Sequence, residues 1–465
     1  GRAGILLPIG IATDETTSDF FADLIDKRHL VRLVGFENES FIFSSVHHSF
    51  KFCALTMAMY PEKNKTATFA FFCRDFSQLS DPRRHFTMSV DDFRVLSPNT
   101  SSCPIFRTAT DASLARKIYL TVPVIRSESH LNEAWDVEFR RMFHMADDSE
   151  LFRTSSQLTQ AGAKHFEWTM RHEGEVWLPL YEGKLIHQFD HRFATFEGAS
   201  QSNLNSGILP HSSTDQKSDP GYVITPRYWM NQKHVDEKLN GWQASWLVGF
   251  RDVTSAVVER TAIFSLLPRV AVGHNCPLAF FPAAATESVL LFLGNLNSIV
   301  FDYTARQKLG GNHLTFTVLC QLPAIPPKSY RFEDREFINR RVLELVHTSN
   351  DVSGFAKDIG RNDPPFTWNE ERRRDLRAEL DAYFAHLYRL TRDELRYILD
   401  PKAVFGEDFP SETFRVLKDS EQKQLGEYRT QRLILASFDS LSVGDRFRGE
   451  KRECVISGNT WTVGD

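Results

Sequence analysis

The residues of this chain best suited to chemistry sit in short, separated groups. "DPPF" at 363–366 places an acid, two prolines and an aromatic in the order that suits work on the amine of an extruded base. There an oxygen and a backbone carbonyl accept hydrogen bonds from the amine, and the ring replaces the stacking the base has lost. In that role the motif follows an apolar strand. Here "DIGRN" precedes it and "TWNEERRRDLRAELDAYF" follows, so the context predicts a helix start with both prolines in the first turn and Asn369 and Glu370 nearby. "YEGK" sets Glu182 and Lys184 at the Glu-x-Lys spacing in which a carboxylate holds Mg²⁺ and a lysine helps activate water. Its partner acid would be Asp147, Asp148 or Glu173, and none of them lies in a strand-end pattern. His187 and His191 would share a helical face fit for zinc, but "KLIHQFDHRF" alternates like a strand and supplies no third ligand. No metal is expected. No glycine-rich phosphate loop, nucleophile elbow or Walker pattern occurs, nor a Phe-x-Gly-x-Gly run after a strand.

A last group raises a different possibility. "ARQKLGGNHLTF" at 305–316 ends an apolar helical pattern in Gly310 and Gly311, the residues that stop a helix in a left-handed backbone. Around them stand Arg306, Gln307, Lys308, Asn312 and His313, side chains suited to phosphates and base edges. An ordinary capped helix and a nucleic-acid contact both remain open from this stretch alone.

The elements that must carry these groups follow from composition and periodicity. At 465 residues the chain is long enough for roughly three domains. Its 42% hydrophobic and 25% charged residues are those of a globular protein, and no apolar run approaches the ~20 residues of a membrane span. The net charge of −5 excludes a protein coated in positive charge, while leaving room for a local DNA site. Cys53, Cys73, Cys103, Cys276, Cys320 and Cys454 form no CxxC pair, which fits a reducing cytoplasm better than a zinc ribbon or a disulfide framework. "GRAGILLPIG" opens on a strand of buried character and reads as the interior of a larger protein.

After that strand, "TDETTSDFFADLI" predicts a helix with Phe20, Phe21, Leu24 and Ile25 on one face. "LVRLVGF" follows as a strand, and "FKFCALTMAMY" and "TATFAFFCR" as the arms of a hairpin. "DASLARKIYL" and "LNEAWDVEFRRMFHM" read as helical. Residues 197–220, rich in Ser, Gly, Asn and Gln, predict a mobile loop. One long helix is expected over about 286–309, and charged helices over 331–347, 369–388, 391–399 and about 420–436.

Several stretches together resemble the C-terminal part of N6-adenine-specific DNA methyltransferases of restriction-modification and phage-defence systems, of type II and type IIG-like organisation. They are "GRAGILLPIGIATDETTSDFF", "LVGFENESFIFSSVHHSFKFCALT", "LPLYEGKLIHQFDHRFATF", "NLNSIVFDYTARQKLGGNHLTFTVLCQLP" and "ELDAYFAHLYRLTRDELRYILDP", in the family's order over residues 1 to about 400. The family's glycine-rich cofactor motif and Asn-Pro-Pro-aromatic motif, which come before the first of these stretches, are lacking. The resemblance implies an α/β fold over 1–125, the second half of a Rossmann-like methyltransferase domain. An α+β target-recognition domain over 126–330 and a helical C-terminal domain over 331–465 would follow. It gives Phe43 the role of stacking on the flipped adenine, with His47, His48 and Lys51 near DNA backbone. Arg306 and Lys308 would neutralise phosphate, and Gln307, Asn312 and His313 would lie beside DNA. S-adenosylmethionine would be held by an upstream part, so no residue here is assigned to it and the residues present would be inactive alone. Double-stranded DNA and restriction or defence-system proteins are the implied partners. The rival readings are a noncatalytic DNA-specificity or scaffold protein and a nuclease centred on Glu182 and Lys184.

Overall fold

Short apolar runs in the first ninety residues build a five-stranded sheet. In the computed structural model, which describes all residues except 49, 62–65, 100–101, 127–134, 283–284, 445, 449–451, 455–460 and 464–465, its strands are β1 (Arg2–Pro8), β2 (Leu30–Glu37), β3 (Lys51–Ala58), β4 (Thr66–Cys73) and β5 (Phe86–Ser89). They lie in the order β1-β3-β2-β4-β5. The pair β2 and β4 is parallel and the other neighbours are antiparallel. The expected hairpin of β3 and β4 does not form, because β2 lies between them. Both edges of β2 are paired and its residues 33–37 are buried, as a central strand requires. Gly35 belongs there because a Cβ at that point would come within 2.6 Å of the Phe71 ring.

Phe21, Leu24 and Ile25 of the helix Ser18–Asp26 enter the core under this sheet. Phe20 stays largely exposed, since a stripe at i, i+3 and i+4 turns the preceding residue outward. β1 is not buried as its composition suggested. Ile5 and Leu6 are 42% and 61% exposed, and among the described residues no strand pairs with its outer edge.

The middle of the chain is built from two antiparallel sheets. One runs β10 (Trp229–Asn231), β9 (Glu175–Tyr181), β8 (Thr169–His172), β7 (Lys164–Phe166), with β13 (Ala271–Val272) parallel to the end of β9. The other runs β12 (Phe264–Pro268), β11 (Trp246–Phe250), β14 (Leu278–Phe280), β6 (Glu138–Arg140). Thus "DASLARKIYL" lies in the helix Ala109–Thr121, but the described part of "LNEAWDVEFRRMFHM" gives a strand, because Phe139 pairs with Ala279 of β14. Residues 197–220 are structured too. The helices Gln201–Ser206 and Thr214–Ser218 begin in capping boxes. The buried Arg192 guanidinium donates to the carbonyls of Lys217, Asp219, Tyr222 and Thr348, and Lys217 pairs with Asp190 at 2.6 Å. A polar composition is compatible with order where the polar groups find buried partners.

The helix expected over about 286–309 divides into Ser288–Leu296 and Ile299–Lys308. Asn297 turns its amide to the Phe264 backbone, and Ser298 caps the second helix. These helices share one core with Phe332–Val346, Glu370–Leu387, Arg392–Leu399, Arg415–Leu425 and Arg429–Val443, and that core runs unbroken across residue 330. The expected 420–436 helix is two helices separated by Gly426 at φ 76, and a short hairpin of Arg452–Cys454 with Trp461–Val463 follows.

Candidate nucleic-acid interface

The loop joining β2 to β3 is braced from inside. Asn38, fully buried, donates through Nδ2 to the carbonyls of Phe43 at 3.0 Å and Val46 at 2.8 Å, and its Oδ1 accepts from the Phe43 amide at 2.9 Å. The brace holds a cluster of aromatics at the surface. Phe41, in a left-handed backbone at φ 51, is 54% exposed, Phe43 is 40% exposed and Phe50 is 63% exposed. The Phe43 ring rests edge-on against Phe52 at 4.8 Å, and Phe52 stacks on Phe36 at 5.2 Å. An aromatic bed therefore supports a ring that is still open to solvent.

Charge gathers beside this loop. Arg74 bridges Glu37 and Glu39 at 3.2 and 2.9 Å. The Arg107 guanidinium lies 4.0 Å over the Phe72 ring, with burial drawing its pKa down and Glu37 pulling the other way. Burial likewise lowers the Lys51 pKa against the pull of Glu37. Arg74, Arg84 and Arg107 form one wall of a cleft of about 290 Å³ whose other walls carry Ala256, Val257, Lys402, Thr413 and Arg415. The acids in it are largely engaged, Glu412 with Lys402 and Arg415 and Asp408 with Arg83.

The same loop that brings Ala256 and Val257 to the cleft leads to the turn at 310–314. The Thr254 amide donates to the Asn312 carbonyl at 3.0 Å, and the Leu314 amide to the Asp252 carbonyl at 2.8 Å. Asn312 and His313 are exposed, with His313 Nδ1 3.4 Å from Asp252 and Arg141 3.7 Å from the same carboxylate. His144 and His274 stack alongside at 4.4 Å. Aromatic loop, basic cleft and polar turn thus succeed one another through directly bonded or jointly lining segments.

Three residues expected on that turn are not on its surface. Arg306 is buried, ion-paired to Asp302 at 2.5 Å and donating to the carbonyls of Ala256, Val258, Glu259 and Thr413 at 2.9–3.0 Å. Gln307 is also buried. Lys308 Nζ donates to Ser97 Oγ and to Gln321 Oε1 at 3.3 Å. Their heads point inward because the helix Ile299–Lys308 is packed on nearly every side, which leaves it no solvent face. The two glycines also act differently from expectation. The helix ends at Leu309 in extended backbone (φ −81, ψ 96), neither glycine has positive φ, and a Cβ on Gly310 would approach Thr13 Oγ1 to 3.2 Å. Gly310 serves close packing against Thr13.

Burial without a carboxylate partner pushes the Lys308 amine down to about 7, against about 10.4 in an unfolded chain. Between those values the unfolded state binds more protons, so this residue makes stability rise with pH; below about 7 the penalty is complete. Lys308→Met is expected to raise the melting temperature most near pH 6, with the gain shrinking toward pH 10. Parallel melting curves for the two proteins across that range would refute it.

Phe43 and the two exposed turn residues are therefore available at the surface, whereas the other singled-out groups do not converge. "DPPF" lies in irregular chain ahead of a helix that starts only at Glu370, so its prolines lie outside the first turn, and the Asn369 side chain caps it. Glu182 is buried beside Lys184 at 3.1 Å, and among the described residues no three His, Cys, Asp or Glu are grouped to hold a metal. His187 is half-buried against Phe193, while His191 pairs with Asp351 at 3.1 Å. Arg74, Arg84, Arg107 and Arg141 were not singled out in the sequence, where no motif marks them. The nearest signal is the place of Arg107 just before Thr108, the side-chain cap of a 13-residue helix.

No protein-family model matches the chain, and no curated protein matches it in sequence. Among solved structures it is similar to the type IIL restriction-modification enzyme MmeI, solved in complex with DNA, with a TM-score of 0.37 and 12% identity over 97% of this chain and 47% of that one. It is also similar to the type IIG restriction endonuclease BpuSI, with a TM-score of 0.29 and 11% identity over 83% of this chain and 47% of that one. The chain spans about half the length of either protein.

Proposed function

We propose that this chain is the base-pocket and DNA-recognition portion of a site-specific, S-adenosylmethionine-dependent adenine-N6 DNA methyltransferase of a restriction-modification or phage-defence system. The observation that carries this reading is the Asn38-braced loop, which presents Phe43 on an aromatic bed next to a cleft walled by Arg74, Arg84 and Arg107. A flipped base needs such a ring to replace its stacking, and the flanking backbone needs cations. The sequence resemblance places Phe43 in the same role. Of the residues first assigned to DNA, Asn312 and His313 keep a place at the interface, while Arg107 and Arg84 take over the neutralising role given to Arg306 and Lys308.

The described residues do not themselves fit S-adenosylmethionine. Apart from Gly35, which packs against Phe71, β1, β2 and β4 lead into no glycine-rich loop, and the acid at the end of β2, Glu37, is occupied by Arg74. No step is therefore assigned to the cofactor, which would be held by another part of the enzyme. Incubated with labelled S-adenosylmethionine and mixed-sequence DNA, the chain alone is expected to transfer no methyl group.

DNA binding is tested by titrating duplex at two salt concentrations. Arg107→Ala is expected to weaken binding to all sequences and to reduce the salt slope by about one unit. Asn312→Ala, if its amide reads a base edge, lowers only the preference for the cognate site, by roughly 1–3 kcal/mol. A slope unchanged by both Arg107→Ala and Arg84→Ala would remove the cleft from the interface.

A further inference from the structure

Away from that interface a second cavity, of about 330 Å³, lies between the helix Glu370–Leu387 and the helices Arg415–Leu425 and Arg429–Val443, with His187 and Arg260 closing it from the middle of the chain. Arg260 is 9% exposed. Its Nη2 donates to Asp381 at 3.3 Å, whereas its Nη1 is buried with no hydrogen-bond partner among the described residues. Arg377, on the same wall, makes no hydrogen bond or close ion pair among the described residues, and burial together with the neighbouring Arg260 charge lowers its pKa. His187 feels both guanidiniums: burial first, then Arg251, Arg377 and Arg260, hold it well below its ordinary pKa, so its ring is neutral.

Asp381, Asp302 and Glu259 favour the charged form of Arg260 over the cost of its burial, but among the described residues no acid hydrogen-bonds its Nη1. Asp381 is taken by Arg260 and by the Ile299 amide at 2.7 Å, Glu421 by the amide and hydroxyl of Thr430, and Glu370 by the Trp368 indole at 2.8 Å. Glu259 is exposed. A buried N–H without an acceptor and two like charges facing each other are both unfavourable, and the arrangement is one that an anion would satisfy. Guanidiniums suit phosphoryl oxygens, which they meet through two parallel N–H groups.

We propose that this cavity binds a phosphoryl oxyanion, with Arg260 Nη1 and the Arg377 guanidinium donating to it and the His187 ring beside them. Leu417, Leu425 and Leu433 line part of the space, beside Arg374, Ser420 and Gln424; it is larger than a bare phosphate needs and suits a small organic phosphate. The site does not depend on the DNA reading, because its test contains no DNA in the first arm.

The full chain, in a buffer free of other oxyanions, is titrated calorimetrically with inorganic phosphate and then with phenyl phosphate. One saturable site per chain is expected, with phenyl phosphate tighter. Arg377→Met should bind at least tenfold more weakly at unchanged melting temperature, while Lys27→Ala, at an exposed helical pair with Asp23, should bind as before. Absence of saturable binding, or an Arg377→Met affinity equal to that of the unaltered chain, overturns the proposal. In a second arm duplex DNA is added. Displacement of phosphate identifies the oxyanion as a backbone phosphodiester, and no displacement identifies it as a free small molecule.

Discussion

Replacing Arg306 by methionine is expected to destabilise the fold by about 3–5 kcal/mol, because it removes one partner of a buried ion pair and leaves the other charged. Asp302 is fully buried and would keep only the amides of Thr261 and Ala262. The carbonyls of Ala256, Val258, Glu259 and Thr413 would lose their donor as well. Two of those residues, Ala256 and Thr413, line the basic cleft, and Arg306 Nη1 bonds both. Arg306 thus holds two segments of the cleft in place, and its guanidinium faces inward. The denaturation midpoint reports the loss. The salt slope of DNA binding by folded variant should stay as it was, since no phosphate contact is removed. A variant of nearly normal stability with a slope reduced by one unit would return Arg306 to the phosphates.

On the proposed function, Phe43→Ala is expected to lower methyl transfer by the full-length protein about tenfold to a hundredfold, the equivalent of the ~1–3 kcal/mol that a stacked base gains from an aromatic platform. Stability should barely change, because the ring is 40% exposed and touches its bed only edge-on at Phe52. Phe43→Tyr, which keeps the π face, should restore turnover. Turnover with labelled S-adenosylmethionine on mixed-sequence DNA and a parallel melt separate the possibilities. Normal turnover with a lowered melting temperature would make Phe43 part of the aromatic bed and nothing more.

The two results would bear on one another. Asn38 fixes the loop that carries Phe43, and Arg306 fixes the far wall of the cleft that begins beside it. Aromatic loop and basic cleft are positioned by side chains that are themselves out of reach of solvent.

What this sequence determined unaided is whatever depends on neighbours a few residues apart. Ser89, Thr108 and Thr391 cap the helices they precede, each accepting a backbone amide three residues on, and such a bond needs no tertiary partner. The stripe of Phe21, Leu24 and Ile25 marked its helix for the same reason. In the first ninety residues strand type was legible, but pairing was not: β3 and β4 follow each other like a hairpin, and only the insertion of β2 between them, with both its edges satisfied, decided the sheet order. The orientation of long polar side chains was least legible of all. Arg306 and Lys308 have the composition of an exposed helix end, yet the packed elements enclose Arg306 and the half-buried Lys308 turns its amine inward to Ser97 and Gln321. The cations of the cleft come from positions 74, 84, 107, 402 and 415. A spacing rule cannot join residues that far apart, because what brings them together is the burial of a common core, to which each stretch contributes without any local sign of its partner.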